Sequence, residues 1–249
     1  MPALSPMLPY DELLAQLREK SLFRELRTID EVQDVVVRIG DRFFVNFASN
    51  DYLGLSQHPL VKAAAKEAID RFGAGSGASR LITGTEYPHT QFEAEIAAFK
   101  SAENALLFNS GYAAAIGTLT SLVGPGDVVI LDKLTHACLI DGAKLSGASV
   151  RVFPHNNVEK LKHHLLWARK TYPQAKTLVV TESIFSMDGD FGNLQSIVDL
   201  KTEYQALLLV DEAHATGIIG PRGAGWIAAL GLEGQVDIQM GTLSKAFGA

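Results

Sequence analysis

Lys245 lies in the run Thr242-Leu243-Ser244-Lys245-Ala246-Phe247-Gly248, just beyond an apolar stretch that ends at Met240. A lysine amine forms Schiff bases with carbonyl groups, although a lysine taken alone is most often a solvated surface residue. Asp211 and His214 change its weight, because they too follow an apolar run, 207–210. The run 179–181 leads into Glu182 and then Ser186, and 130–131 leads into Asp132 and His136. Ligands of open α/β sheets bind beyond the carboxyl ends of the strands. Four such ends would surround one crevice with a lysine, two histidines, a carboxylate and hydroxyls.

That set suits an aldehyde cofactor such as pyridoxal phosphate. The lysine would hold the aldehyde carbon, and an aspartate beside the pyridine nitrogen would keep that nitrogen protonated and make the ring an electron sink. An imidazole face can stack on the ring. The phosphate needs backbone N–H groups at a helix start, and Ser110-Gly111-Tyr112 opens a predicted helix at Ala113. Each residue also has an ordinary structural use. Asp211 could cap a turn, His214 could be a hydrogen-bonded core histidine, His136 could sit at a helix N-terminus, and Ser186 is a common turn residue. His155, His163 and His164 fall on a turn and a solvated helix and are given no chemical role. No Cys or His spacing fits zinc, and the stretch containing Glu182, Asp188 and Asp190 lacks the alternating ligands of a calcium loop.

The elements that must position these residues alternate. Apolar runs at 105–108, 128–131, 149–153, 178–181, 207–210 and 238–240 read as strands, separated by helical patterns at 113–122, 137–145, 158–170 and 194–204. This predicts an α/β domain of doubly wound type, its parallel sheet covered by crossover helices. The residues before it differ: an amphipathic helix over 10–25, a hairpin of 35–39 and 43–47, a helix over 59–72, a glycine-rich loop over 73–80 and a helix over 90–99. The boundary is expected near residue 50, with an arm at 1–50 and a large domain at 51–249.

The chain has 249 residues, 47% hydrophobic and 20% charged, which is enough for a sizeable core. Its formal charge of -6 and its lack of a basic cluster argue against nucleic acid or an anionic membrane as partner. Cys138 is the single cysteine, so no internal disulfide forms and an oxidising compartment is not required. Asp11, Glu12 and Glu19 interrupt any apolar core of a secretory signal, and 113–123 is too short to span a bilayer. A cytoplasmic protein is expected.

Seven motifs stand in an order that resembles the α-oxoamine synthases, pyridoxal-phosphate enzymes of fold type I. They are Ser49-Asn50-Asp51-Tyr52-Leu53-Gly54-Leu55, Thr83-Gly84-Thr85 with His89, Asn109-Ser110-Gly111-Tyr112, Thr135-His136-Ala137, Phe185-Ser186-Met187-Asp188-Gly189-Asp190, Asp211-Glu212-Ala213-His214-Ala215-Thr216-Gly217, and Thr242-Leu243-Ser244-Lys245-Ala246. The resemblance implies a large domain with a mostly parallel sheet and helices on both faces, and a C-terminal small domain that is absent here. It implies a decarboxylating condensation of an amino acid with an acyl-CoA thioester. L-alanine with a pimeloyl thioester, as in biotin synthesis, is favoured over acetylation of glycine. It also implies a homodimer in the intact protein, and a truncated chain that binds cofactor without turnover is the competing expectation. The roles it implies are Schiff-base formation for Lys245, pairing with the ring nitrogen for Asp211, stacking for His136, and hydrogen bonds to the ring oxygen from His214 and Ser186. Thr242 with the backbone at Gly111 and Tyr112 would take the phosphate, and Arg24 and Asn50 would face the substrates.

Overall fold

The computed structural model describes residues 10–249, which fall into two compact units that part between Ala48 and Ser49. The first unit holds helix α1 (Tyr10–Glu19) and three antiparallel strands in the order β1-β2-β3: β1 (Glu31–Gln33), β2 (Val36–Ile39) and β3 (Arg42–Val45). The helix predicted over 10–25 stops early for a local reason. Ser21 takes a left-handed φ of 54°, and the Leu22 amide donates back to the Leu17 carbonyl at 2.8 Å, a helix-ending pattern. Strand β1 escaped prediction because its three residues are all exposed and show no alternation.

The second unit contains α2 (Pro59–Phe72), α3 (Tyr87–Phe99), α4 (Gly111–Leu122), β4 (Val128–Asp132), α5 (Ala137–Leu145), β5 (Ser149–Phe153), α6 (Val158–Thr171), β6 (Thr177–Glu182), α7 (Leu194–Glu203), β7 (Leu207–Asp211), α8 (Trp226–Ala229) and β8 (Ile238–Met240). Its five strands are parallel throughout, in the order β5-β4-β6-β7-β8. Parallel strands are buried on both faces and therefore read as unbroken apolar runs, which is why five of the six predicted strands stand within a residue of their places. Val129, Leu131, Leu178, Val180 and Leu209 pack under α4 and α5. Val128, Ile130, Val179, Leu208 and Val210 pack under α6 and α7.

The strand predicted at 105–108 does not form. A strand needs a ladder partner for its backbone, and here the Leu107 groups are taken by side chains. Glu93 Oε1 accepts from the Leu107 amide at 2.7 Å, and Arg80 Nη1 donates to its carbonyl at 3.2 Å. The same Arg80 pairs with Glu93 at 3.0 Å, so the glycine-rich loop is pinned to α3.

The order in which strands are added reverses between β4 and β6, since β5 lies on one side of β4 and β6, β7 and β8 follow on the other. Such a reversal parts the loops at the carboxyl ends and opens a crevice. Beyond β7, consecutive carboxylates divide the work. Glu212 is wholly buried and paired with Lys100 at the end of α3, while its Oε1 accepts from the Ile227 amide at 2.9 Å. Lys100 also donates to the Ala224 carbonyl at 2.7 Å. Lys100→Met should therefore leave a buried charge unpaired and lower stability by about 3–5 kcal/mol in chemical denaturation. A loss comparable to that of an exposed lysine variant would count against this account.

Candidate active site

Strand register sets the site. Glu182 pairs across with Asp211, and Asp211 with Met240, so the last residues of β6, β7 and β8 lie side by side and the Lys245 turn follows directly. Asp211 is buried at 6% exposure, and its Oδ1 accepts from the Ala213 amide at 2.8 Å. Among the described residues no hydrogen bond reaches Oδ2. Burial pushes the Asp211 pKa above the ordinary carboxylate value, against the opposing pull of the Ala213 amide, Lys245 and His136. Glu182 beside it is pushed up to about 7, first by burial and then by the Asp211 charge.

Lys245 is held near this pair by close backbone contacts. Gly217 sits at φ +89°, and a Cβ built there would lie 2.7 Å from Cβ of Ala246. Gly248, at φ +67°, would bring a Cβ within 2.2 Å of the Ser56 amide. Both positions demand glycine for conformation and for space. Burial lowers the Lys245 pKa while Asp211 and Glu182 oppose the shift, so the amine is brought toward its neutral, nucleophilic form.

Lys245 Nζ lies 2.8 Å from His214 Nε2, His214 Nδ1 lies 2.7 Å from the Tyr52 hydroxyl, and that hydroxyl lies 3.2 Å from Asn50 Oδ1. An ammonium only donates, so with Lys245 charged the chain runs one way: Nζ to Nε2, Nδ1 to the tyrosine oxygen, and the tyrosine hydrogen to Asn50. With Lys245 as free amine the first two bonds can reverse. The sequence pointed to Asn50 as a substrate residue and missed Tyr52, although Tyr52 stands two residues away in the same motif.

His136 turns out to be the N-cap of α5. Its Nδ1 accepts from the Cys138 amide at 3.3 Å and touches Cys138 Sγ at 3.0 Å, while its own amide donates to Glu182 Oε1 at 2.5 Å. The structural use weighed for it is thus real, and it locks the ring beside Asp211. Ser186 is exposed on the loop after β6. With Tyr52 and His214 it lines a cavity of about 240 Å³.

Helix α4 is capped by Ser110, whose Oγ accepts from the Ala113 amide at 3.1 Å. Among the described residues the amides of Gly111 and Tyr112 have no internal acceptor. Ser110, Gly111, Thr242 and Ser244 line a second cavity, of about 1180 Å³, and the hydroxyls of Thr242 and Ser244 are 2.9 Å apart. Free amides and hydroxyls are the groups that an anion would need. Tyr112 directs its own hydroxyl to Asp141 at 3.4 Å. Arg24 belongs to the first unit, exposed in the irregular stretch between α1 and β1. No cluster able to hold a metal ion exists among the described residues, and no helix among them is long and apolar enough to cross a membrane.

His214 is pulled down to about 4, first by burial and then by the charges of Lys245 and His136. A histidine with a depressed folded value opposes folding as it charges, so this contribution to stability falls as pH drops from 6.5 toward 4. NMR titration should find His214 neutral at pH 6, and Lys245→Ala should move its midpoint upward. A midpoint near 6.5 in the unaltered chain would contradict the geometry.

Residues 43–249 match the model of aminotransferase class I and II. The chain is 47% identical over 235 residues to an 8-amino-7-oxononanoate synthase of Geobacter sulfurreducens, covering 94% of this chain and 59% of the relative. Among solved structures it superimposes on a serine palmitoyltransferase of Sphingomonas wittichii with a TM-score of 0.91 at 35% identity, covering 99% of this chain and 62% of that one. It also matches a serine palmitoyltransferase of S. paucimobilis carrying a bound PLP-myriocin aldimine, with a TM-score of 0.89 at 33% identity over 96% of this chain and 60% of the other. The chain thus spans about three fifths of the length of the curated relatives it matches. Its fold is that of the fold-type-I pyridoxal-phosphate transferases, and the chain belongs to the aminotransferase class I and II family.

Proposed function

We propose that this chain carries the lysine-bearing part of a pyridoxal-phosphate-dependent α-oxoamine synthase. That enzyme would condense an amino acid with an acyl-CoA thioester and release carbon dioxide. The observation that carries the reading is the strand register that sets a buried, underpartnered Asp211 between Glu182 and Met240, with a partly buried Lys245 on the turn that follows β8. The relatives named 8-amino-7-oxononanoate synthase support L-alanine and a pimeloyl thioester as substrates, hence biotin synthesis.

The residues present fit the cofactor. Asp211 lacks a strong cationic partner for its Oδ2, and a pyridinium N–H would supply one. The Gly111 and Tyr112 amides with the Thr242 and Ser244 hydroxyls suit a phosphate dianion, and Gly111 leaves open space where a side chain would intrude. When bound, pyridoxal phosphate supplies an electron sink for charge developing at the substrate α-carbon.

The chain's own groups do the rest. Lys245 Nζ, biased toward the free amine, would hold the cofactor at its aldehyde carbon and, when free, would move the substrate α-proton. Burial raises the Asp211 pKa and a facing cation would lower it, so binding and charge at the ring nitrogen are coupled. His136, fixed by its capping bonds, offers a ring face. His214 and Ser186 can donate to a ring oxygen, and Tyr52, hydrogen-bonded at Nδ1, orients the His214 ring. Asn50 takes the far end of that chain, and Arg24 is assigned to the substrates by family resemblance.

Incubation with pyridoxal phosphate, borohydride reduction and peptide mass analysis should place a pyridoxyl group on Lys245. Lys245→Ala should abolish it, and Asp211→Asn should weaken cofactor affinity by about tenfold or more. Unmodified Lys245, or an adduct on another lysine, would overturn the assignment. Among added amino acids, L-alanine should perturb the bound cofactor's absorbance at lower concentration than glycine or serine.

A further inference from the structure

Ser186, which the reading above places at the cofactor, sits on an exposed loop tip, and no hydrogen bond holds its hydroxyl among the described residues. Something else must hold the loop. Its base is closed by the Phe185 amide on the Asp190 carbonyl at 3.0 Å and by an isolated bridge between Ile184 and Phe191. The side chain of Asp190 then turns toward the end of β5 and meets His155.

His155 has a carboxylate at each ring nitrogen. Nδ1 lies 3.0 Å from Asp132 Oδ1 and Nε2 lies 2.7 Å from Asp190 Oδ2. Ionised carboxylates only accept, so both bonds form only when both nitrogens carry protons. Asn156 Nδ2 is 3.2 Å from the same Nε2, but it already has Asp190 Oδ2 at 3.3 Å and the Phe191 carbonyl at 3.0 Å as acceptors. No acceptor role is required of the ring.

The neighbours repeat the link. The Asn156 amide donates to Asp132 Oδ2 at 2.9 Å, and Asn156 Oδ1 accepts from the Asn193 amide at 3.1 Å. The His155 ring meets Phe185 edge-on, with centroids 4.4 Å apart. Asp132 is fully buried and also accepts from the Leu134 amide at 2.9 Å, which shapes the turn into His136. One ring therefore joins the turn that presents His136 to the loop that presents Ser186.

We propose that His155, as an imidazolium, is a positioning residue that clamps the Asp132 turn and the Asp190 loop together and so sets the spacing of His136 and Ser186. This rests on the function proposed above for those two residues. Asp132 and Asp190 are the charged groups that face the ring. Burial alone would lower the His155 pKa, but the bonds to Asp190 and Asp132 outweigh it and hold the value above 6.5. The sign follows. A raised folded value means that the clamp is complete below pH 6.5 and opens as pH rises through the elevated pKa.

The test is amide hydrogen exchange on the full chain without cofactor, read on peptides covering 183–191 and 132–137. His155→Gln should speed exchange in both by about tenfold while β6 and β7 peptides stay unchanged. The milder Asp190→Asn should reproduce the effect in 183–191, and the double variant should add little to either. After correction for intrinsic rates, the unaltered chain should lose loop protection as pH rises, and His155→Gln should lose that pH dependence. Unchanged loop exchange in either variant, or acceleration spread evenly over the sheet, would overturn the clamp. None of these readings needs cofactor, so failure to label Lys245 would sink the function while leaving the exchange result to judge the clamp separately.

Discussion

A carboxylate removed from water must recover its lost hydration from donors or cations. Asp211 recovers little within its own chain: one amide at 2.8 Å on Oδ1, with the charge of Lys245 nearby. Burial at the end of a central strand makes that deficit fixed rather than adjustable, because β7 is hydrogen-bonded on both sides. The other groups of the site do not make up this deficit. Lys245 is lowered toward the free amine, His214 is kept neutral, and Glu182 is raised until it titrates near neutrality. A cationic ring nitrogen placed at Asp211, as the proposed function requires, would meet a carboxylate oxygen that no other described group neutralises.

Holding such a field needs rigid support, and it comes from opposite directions. The sheet fixes Asp211 and Glu182 through register, and helix α5 fixes His136 through its cap. Lys245, by contrast, hangs on an irregular turn whose place depends on steric fit at Gly217 and Gly248. Below the strand ends, Glu212 with Lys100 anchors the backbone from which Asp211 projects. Neighbouring acidic residues in one motif thus differ in place: Asp211 ends β7 beside Glu182 and Glu212 is locked into the core.

Much of this was legible in the sequence where periodicity and burial coincide. Fully buried parallel strands announce themselves as apolar runs, and the polar residues that end them mark the crevice. Periodicity misleads where side chains rather than backbone satisfy the polar groups. The 105–108 segment has strand composition, yet Glu93 and Arg80 take the Leu107 groups. His155 looked like an ordinary turn histidine because its partners lie 23 and 35 positions away in the chain, a distance no local pattern reports. Tyr52 was overlooked for the same reason: its contact with His214 spans 162 positions. His136 carried two meanings, capping and stacking, and only the geometry shows that the first is satisfied while the ring remains available.

The proposed function requires Asp211 to hold a proton on the cofactor ring nitrogen. NMR of the chain loaded with pyridoxal phosphate labelled with nitrogen-15 in its ring reads that proton directly. The bound nitrogen should be protonated at neutral and mildly alkaline pH, reverting in Asp211→Asn to the free cofactor's behaviour. A bound ring nitrogen that is unprotonated at neutral pH, or one whose protonation is the same in Asp211→Asn, would contradict it.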